Sequence, residues 1–236
     1  MRPAPRSAAS ALSAIALVAA MASPAAADLI TIGTGNVGAN TFPLGSPDGE
    51  NFPYLGEYQQ IYAAPEFSAP VTITGVAFQT VRPPRATVSD DITVGLSTTA
   101  ATLDAPGATY AARIGADFTT VFAGTLAITA RSDGTFDVFI PLSPFRYDPA
   151  KGNLLLDVDV LSSTGPGIVA FATTVDHVTT RIFNFGGTGT PTIDVGFGLL
   201  TQFTVGAVPE PSSLALCGLG IVAAAAYAHG RRKARS

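Results

Sequence analysis

Between residues 28 and 207 the chain contains a succession of short β-prone runs and no stretch of ten or more residues that reads as a capped helix, and this constrains its fold more than any other feature. The runs are 29–32, 58–62, 71–80, 92–97, 125–129, 136–141, 154–160, 168–173, 181–185 and 197–205. Parallel neighbours need long crossover connections that are usually helical, so strands following one another at these intervals must pair antiparallel. Val71-Thr72-Ile73-Thr74 alternates apolar and polar residues as a half-buried strand does. Pro47-Asp48-Gly49, Ser132-Asp133-Gly134 and Gly186-Gly187 supply turn chemistry between the runs. The expected fold is therefore all-β, an antiparallel and jelly-roll-like β-sandwich whose two inner faces make one core. The Ala- and Thr-rich stretch 98–113, with Asp104-Ala105-Pro106-Gly107 inside it, reads as a long loop.

Cysteine and charge narrow the reading further. The single cysteine, Cys217, falls in an apolar C-terminal run, where it reads as a small apolar filler. The body therefore has no disulfide staple, no Cys nucleophile and no Cys-based zinc site. Of 13 basic residues, Arg2 and Arg6 lie at the N-terminus and Arg231, Arg232, Lys233 and Arg235 at the C-terminus, whereas only Glu210 among 17 acidic residues lies outside 28–207. The middle thus carries about −9, a field that repels phosphate backbones and argues against nucleic acid as a partner.

The two ends read as addresses. Arg2 and Arg6, an apolar stretch over 8–22 and the small-residue sequence Ala25-Ala26-Ala27 make a secretory signal peptide over 1–27, with cleavage expected after Ala27. At the other end Val208-Pro209-Glu210-Pro211 precedes 17 uncharged residues, 212–228, and then the basic cluster. That run is at the short limit of a single transmembrane helix. By the positive-inside rule the cluster is a stop-transfer signal that stays cytoplasmic and places 28–207 across the membrane. His229 reads as an interfacial residue. On the residues alone a permanent single-span anchor fits as well.

This tripartite tail, 208–236, resembles a PEP-CTERM sorting signal, with Pro209-Glu210-Pro211 as its signature. The resemblance implies an exosortase-type membrane protease as partner, transient membrane anchoring through the C-terminal helix, then release to the outer surface or an exopolysaccharide matrix. Tyr58-Gln59-Gln60-Ile61-Tyr62, Ile73-Thr74-Gly75-Val76-Ala77-Phe78, Leu96-Ser97-Thr98-Thr99 and the segment Pro149-Ala150-Lys151-Gly152-Asn153-Leu154-Leu155-Leu156-Asp157-Val158 are similar to segments of exported PEP-CTERM proteins with a β-sandwich body. They imply a fold and a location, and bring no catalytic residues.

Chemistry in the body has few candidates. His177 is the only histidine between 28 and 207, Gly-x-Ser-x-Gly is absent, and Ser162-Ser163 and Thr179-Thr180 are ordinary polar pairs. One histidine also argues against zinc, so His177 reads as a structural imidazole. Asp157 and Asp159, two apart on a strand, would share a face near the separation of about 5 to 9.5 Å that glycoside hydrolysis uses. The plainer reading makes them solvent-facing residues alternating with Leu156, Val158 and Val160 in the core. Calcium, which needs several oxygen ligands, could be met by Asp90 with Asp91, by Asp157 with Asp159, or by Asp176, although no calcium-loop spacing is present. With no Trp in the chain, sugar contacts would rest on Tyr or Phe. Tyr54, Tyr58 and Tyr62 divide between core and edge, and Phe183 and Phe185 share one face of a strand as core residues. The sequence thus points to a non-catalytic exported protein of the cell surface or extracellular matrix, structural or adhesive, with weak carbohydrate binding. A secreted glycan-active hydrolase using Asp157 and Asp159, and a calcium-dependent lectin, are the alternatives.

Overall fold

Alternation decides which side of each strand is buried. Along Val71–Phe78 the apolar Val71 and Ile73 are buried while Thr72 and Thr74 are half-buried, and along Val138–Tyr147 Val138, Ile140 and Leu142 are buried while Phe139 and Pro141 are exposed. The computed structural model describes residues 27–34, 38–44, 55–82, 84, 87–129, 135–164, 169–184, 190–207 and 220. The signal peptide up to residue 26, the motif Val208 to Pro211, the apolar run with Cys217, the residues His229, Arg231, Arg232, Lys233 and Arg235, and Tyr54 and Phe185 all lie outside the described residues.

The described strands are β1 (Asp28–Ile32), β2 (Ala39–Asn40), β3 (Gly56–Tyr62), β4 (Val71–Phe78), β5 (Thr80–Arg82), β6 (Val88–Thr99), β7 (Thr119–Ile128), β8 (Val138–Tyr147), β9 (Asn153–Thr164), β10 (Ala170–Thr174), β11 (Thr179–Phe183), β12 (Thr192–Val195), β13 (Gly198–Leu199) and β14 (Thr201–Ala207). Every expected run meets one of them. β2 and β12 were not expected, and β6 to β9 extend beyond their apolar centres. The other regular elements among the described residues are three single turns of 3-10 helix, Ala64–Glu66, Ala111–Arg113 and Pro149–Lys151. Among the described residues no helix is long and apolar enough to cross a membrane.

One sheet has the order β1-β14-β4-β8 and the other β12-β11-β3-β9-β6-β7, with every pairing antiparallel. Successive strands cross from one sheet to the other at most connections, which gives the sandwich its jelly-roll character. A third, small sheet has the order β13-β10-β2, with β5 also pairing β10, so that β10 runs past the end where β4 continues into β5 and β13 leads into β14. There Ala172 bridges the two connections, its N–H donating to Gln79 O at 2.9 Å and its carbonyl accepting from Leu200 N at 3.0 Å.

The core fills the space between the sheets. Tyr62 meets Phe203 edge-on at 5.0 Å between centroids, Phe67 meets Tyr147 at 4.8 Å, and Phe78 meets Phe171 at 6.1 Å. The Tyr62–Phe203 pair joins β3 of one sheet to β14 of the other, so that contact exists only when both sheets are in place. Tyr58 and Tyr62 face inward and keep their hydroxyls paired, to Gln60 Oε1 at 2.6 Å and Thr201 Oγ1 at 3.0 Å. Phe183 is buried and stacks on Phe42 at 4.7 Å, as expected of a core residue. Phe203→Ala is expected to cost about 3–5 kcal/mol, whereas Thr204→Ala, one residue on and facing outward, stays within about 0.5 kcal/mol. Urea unfolding of the two variants measures the difference.

Candidate functional site

The expected acid pair lies on β9, where pairing with β3 sets Asp159 opposite Glu57, Asp157 opposite Gln59 and Leu155 opposite Ile61. Strand alternation puts all six on the outer face of the six-stranded sheet, so Asp157 and Asp159 do share a face. They do not both face solvent. Asp159 is half-buried, but Asp157 is only 8% exposed, because residues 100–118 fold back across the sheet as a roof. What reads in the sequence as a plain loop is therefore a built element.

Five contacts latch the roof to the sheet and a sixth closes within it. Thr180 Oγ1 donates to Leu103 O at 2.9 Å, Asn153 Nδ2 to Ala101 O at 2.9 Å, and Gly115 N to Ser97 Oγ at 3.1 Å. Thr98 N donates to Asp117 Oδ1 at 2.8 Å, Arg113 Nη2 reaches the roof's own Gly107 O at 2.6 Å, and Gln59 Nε2 reaches Tyr110 O at 3.3 Å. Ala101, Leu103 and Tyr110 cover Ile61, Leu155 and Ile182, a small second core on the far side of the sheet. Gly115 approaches β6 so closely that a Cβ there would sit 1.8 Å from Thr98 O, and only glycine permits the contact. Phe118 lies over Gly95 in the same manner, its ring tip taking the place of a side chain.

At the centre of this face Gln59 is wholly buried and joins a cation to two acids. Its Oε1 accepts from Arg113 Nη1 at 3.4 Å, while its Nε2 donates to Asp157 Oδ2 at 2.7 Å and Glu57 Oε1 at 3.1 Å. Arg113 is itself wholly buried, with its guanidinium 5.6 Å from the centre of the Tyr110 ring. Burial, then the neighbouring charge of Asp157 and the hydrogen bond between the two carboxyls, push Glu57 up to about 8. Asp157 is also raised, first by burial, although hydrogen bonds from Gln59 and Glu57 pull the other way. Burial lowers Arg113, and the charges of Tyr110 and Glu57 oppose that. The carboxyl pair shares a proton near neutral pH, with Glu57 as the protonated partner. Asp157 is engaged by Gln59 Nε2 and by the Glu57 carboxyl, while Asp159, its neighbour on the same face, is only half-buried.

The other candidates are dispersed. Asp90 and Asp91 are adjacent on β6 and point to opposite faces. Asp90 is buried on the inner face, where burial raises it to about 6, the Ser163 hydroxyl opposite on β9 pulling weakly downward and the charge of Asp91 upward. Asp91, on the outside, accepts from Thr125 and Ser162, which hold it below its usual value. Asp176 accepts from Thr34 N at 2.7 Å and Thr34 Oγ1 at 3.1 Å; burial raises it, and the hydrogen bonds from Thr174 and Thr34 outweigh that. His177 sits exposed at φ 60 in the β10–β11 turn, its ring against Gly196. Among the described residues no group of three or more His, Cys, Asp or Glu side chains is placed to hold a metal ion.

Glu57, Gln59 and Arg113 were not anticipated. A signal existed in Leu154-Leu155-Leu156 and in Tyr58 to Tyr62, where large side chains point to both faces without alternation. Such runs belong to strands covered on both sides.

A second functional place is where the chain enters and leaves the body. β14 ends at Ala207 in the middle of its sheet, held by β1 on one side and β4 on the other. Asp28 pairs with Val205, so both ends of the body emerge together. A family model for the PEP-CTERM protein-sorting motif matches residues 207–233, beginning at the last residue of β14. No curated protein and no solved structure matches the chain.

The shared proton gives the fold a pH signature. Glu57 keeps its proton when folded up to about pH 8 but loses it near 4.5 when unfolded, so between those values the folded state binds more protons and stability falls as pH rises. Below that window the effect vanishes, and above it the loss is complete. Glu57→Gln, neutral at every pH and still able to donate to Asp157, is expected to flatten this slope and to raise the urea midpoint at alkaline pH. Urea titrations of both proteins across that range check the sign.

Proposed function

We propose that this chain, an exported protein that carries a PEP-CTERM protein-sorting motif and is sorted by an exosortase-type membrane enzyme, serves at the cell surface as a non-catalytic structural or adhesive protein with weak affinity for carbohydrate, and that its further destination is the extracellular matrix. The observation that carries the non-catalytic reading is the engagement of Asp157. The acid best placed for chemistry is buried, bonded to Gln59 and to Glu57, and roofed by residues 100–118. Those groups hold a loop on a sheet, and their polarity is spent on that task.

The attachment geometry suits display. Tension applied through the sorting motif enters β14, which is hydrogen-bonded along both edges, so load spreads into β1 and β4 together. The same corner holds Asp28, the residue that follows the expected signal-peptide cleavage, and both processing points therefore belong to the membrane-facing end of the body.

Two outcomes test the proposal. In a host with the sorting enzyme, the mature protein is expected to have an intact mass lacking 1–27 and 221–236, and Glu210→Ala is expected to accumulate as a membrane-bound precursor; a mature mass retaining 221–236 contradicts the sorting step. In a strain deleted for the protein, the wild type and Asp159→Asn are expected to restore surface-retained polymer equally. Asp159 stands at the rim of the acid cluster, so loss of rescue there contradicts the non-catalytic reading.

A further inference from the structure

Among the described residues no loop covers the outer face of the four-stranded sheet as residues 100–118 cover the other, and its strand positions differ from the rest of the body in charge. Leu29 and Thr31 of β1 lie beside Thr204 and Gln202 of β14, which lie beside Gly75 and Ala77 of β4. β8 completes the face with Phe139 opposite Ala77 and Pro141 opposite Gly75. No carboxylate projects from these outward positions, although the body carries about −9. Arg146, opposite Thr72, is exposed at one end of the face, and at the other end Asp137, two residues before Phe139, turns its carboxylate to Thr80.

Phe139 is the centre of the face. It is 49% exposed, yet it does not stand away from the sheet: its Cε2 and Cζ atoms lie 2.5 and 2.8 Å from where a Cβ on Gly75 would be. The ring leans along β4, supported by a residue with no side chain, and its other side is open to water. Thr204 Oγ1 borders the same spot at 3.2 Å, and Gln202 Nε2 donates to Thr31 Oγ1 at 3.0 Å, so a row of hydroxyl and amide groups runs beside the ring. An apolar ring set among neutral hydrogen-bonding groups matches a sugar ring, which has an apolar C–H face and a rim of hydroxyls.

We propose that this face is a carbohydrate-binding platform, with Phe139 stacking on a sugar of a neutral polysaccharide and Thr204, Gln202 and Thr31 meeting its hydroxyls. The assignment rests on the surface-protein reading above and names the place and the ligand class for its adhesive part. Neutral polymer is favoured because the positions around Phe139 are uncharged, the nearby Asp137 carboxylate is engaged by Thr80, Arg146 alone offers no clamp for repeated carboxylates, and the acidic remainder of the body repels polyanions. A second copy of the chain is the competing occupant.

Phe118 supplies a matched control, since it too leans over a glycine, Gly95, and is 40% exposed, but beside Asp117 on the roofed sheet. Affinity electrophoresis of the full-length chain in detergent through gels holding dextran, glucomannan or alginate reads the binding directly. Retardation is expected with a neutral polymer and not with alginate. Phe139→Ala is expected to weaken it at least about tenfold, with Phe118→Ala unchanged. Absence of retardation by either neutral polymer, equal loss in the two variants, or a shift in oligomeric state on Phe139→Ala in sedimentation would each overturn the assignment. Surface fractionation of the same variants separates the two readings: normal surface delivery of a wild type that binds nothing removes the platform and leaves the surface protein standing.

Discussion

A guanidinium taken wholly out of water has to be met by acceptors, and most of the candidate site follows from how Arg113 is met. Two of its nitrogens donate to neutral oxygens, and its Nε is buried without an acceptor among the described residues. One arm reaches the carbonyl of Gly107 and another the amide oxygen of Gln59, whose nitrogen holds Asp157 and Glu57. The cation and the acids are joined through a neutral relay, and burial raises both acids, Glu57 to about 8. Desolvation of unpaired ions costs several kcal/mol each, so the roof, the buried cation and the raised acid are consequences of one another. Remove the roof and the cation leaves with it, returning the acids to solvent.

That constraint also explains why the two outer faces of the sandwich diverge. The six-stranded sheet is wide, and its central strands β3 and β9 carry Ile61 and Leu155 on the side away from the main core. An apolar pair in the middle of a polar face needs cover, and residues 100–118 supply it. On the four-stranded sheet the outward residues of β4 and β14 are Thr, Gln, Gly and Ala, which need none. There the exposed aromatic is a surface feature, while on the other sheet the comparable Phe118 belongs to the edge of the roof.

Much of the fold was legible in the chain because period-two alternation and turn chemistry are local signals. All ten expected runs coincide with strands, and β12 escaped notice because Thr192-Ile193-Asp194-Val195 is short and follows a Gly-, Thr- and Pro-rich stretch. The sorting motif was legible for a different reason, being a linear signal read in extended sequence. The acid cluster was half legible. Asp157 and Asp159 share a face as strand geometry requires, but Gln59 reaches Asp157 across 98 residues, Glu57 meets it from the same distant strand, and Arg113 joins only through Gln59, 54 residues away. No local pattern encodes such a meeting. The burial of Asp157 follows from the roof, whose composition resembles any solvated loop, and only the unbroken Leu154-Leu155-Leu156 run hints that something must lie above it.

The central claim is that residues 100–118 are a fixed part of the sandwich, closing the acid cluster. Amide hydrogen exchange tests it most directly, because the N–H groups of Arg113, Ile114 and Phe118 donate within the segment to Tyr110, Ala111 and Gly115. Held in place by the Gln59 relay, these amides are expected to exchange slowly in the wild type and to lose that protection together in Gln59→Leu while the β14 amides keep theirs. Exchange at unstructured-chain rates in the wild type would contradict the account, since the roof would then be open and Asp157 free for solvent and substrate.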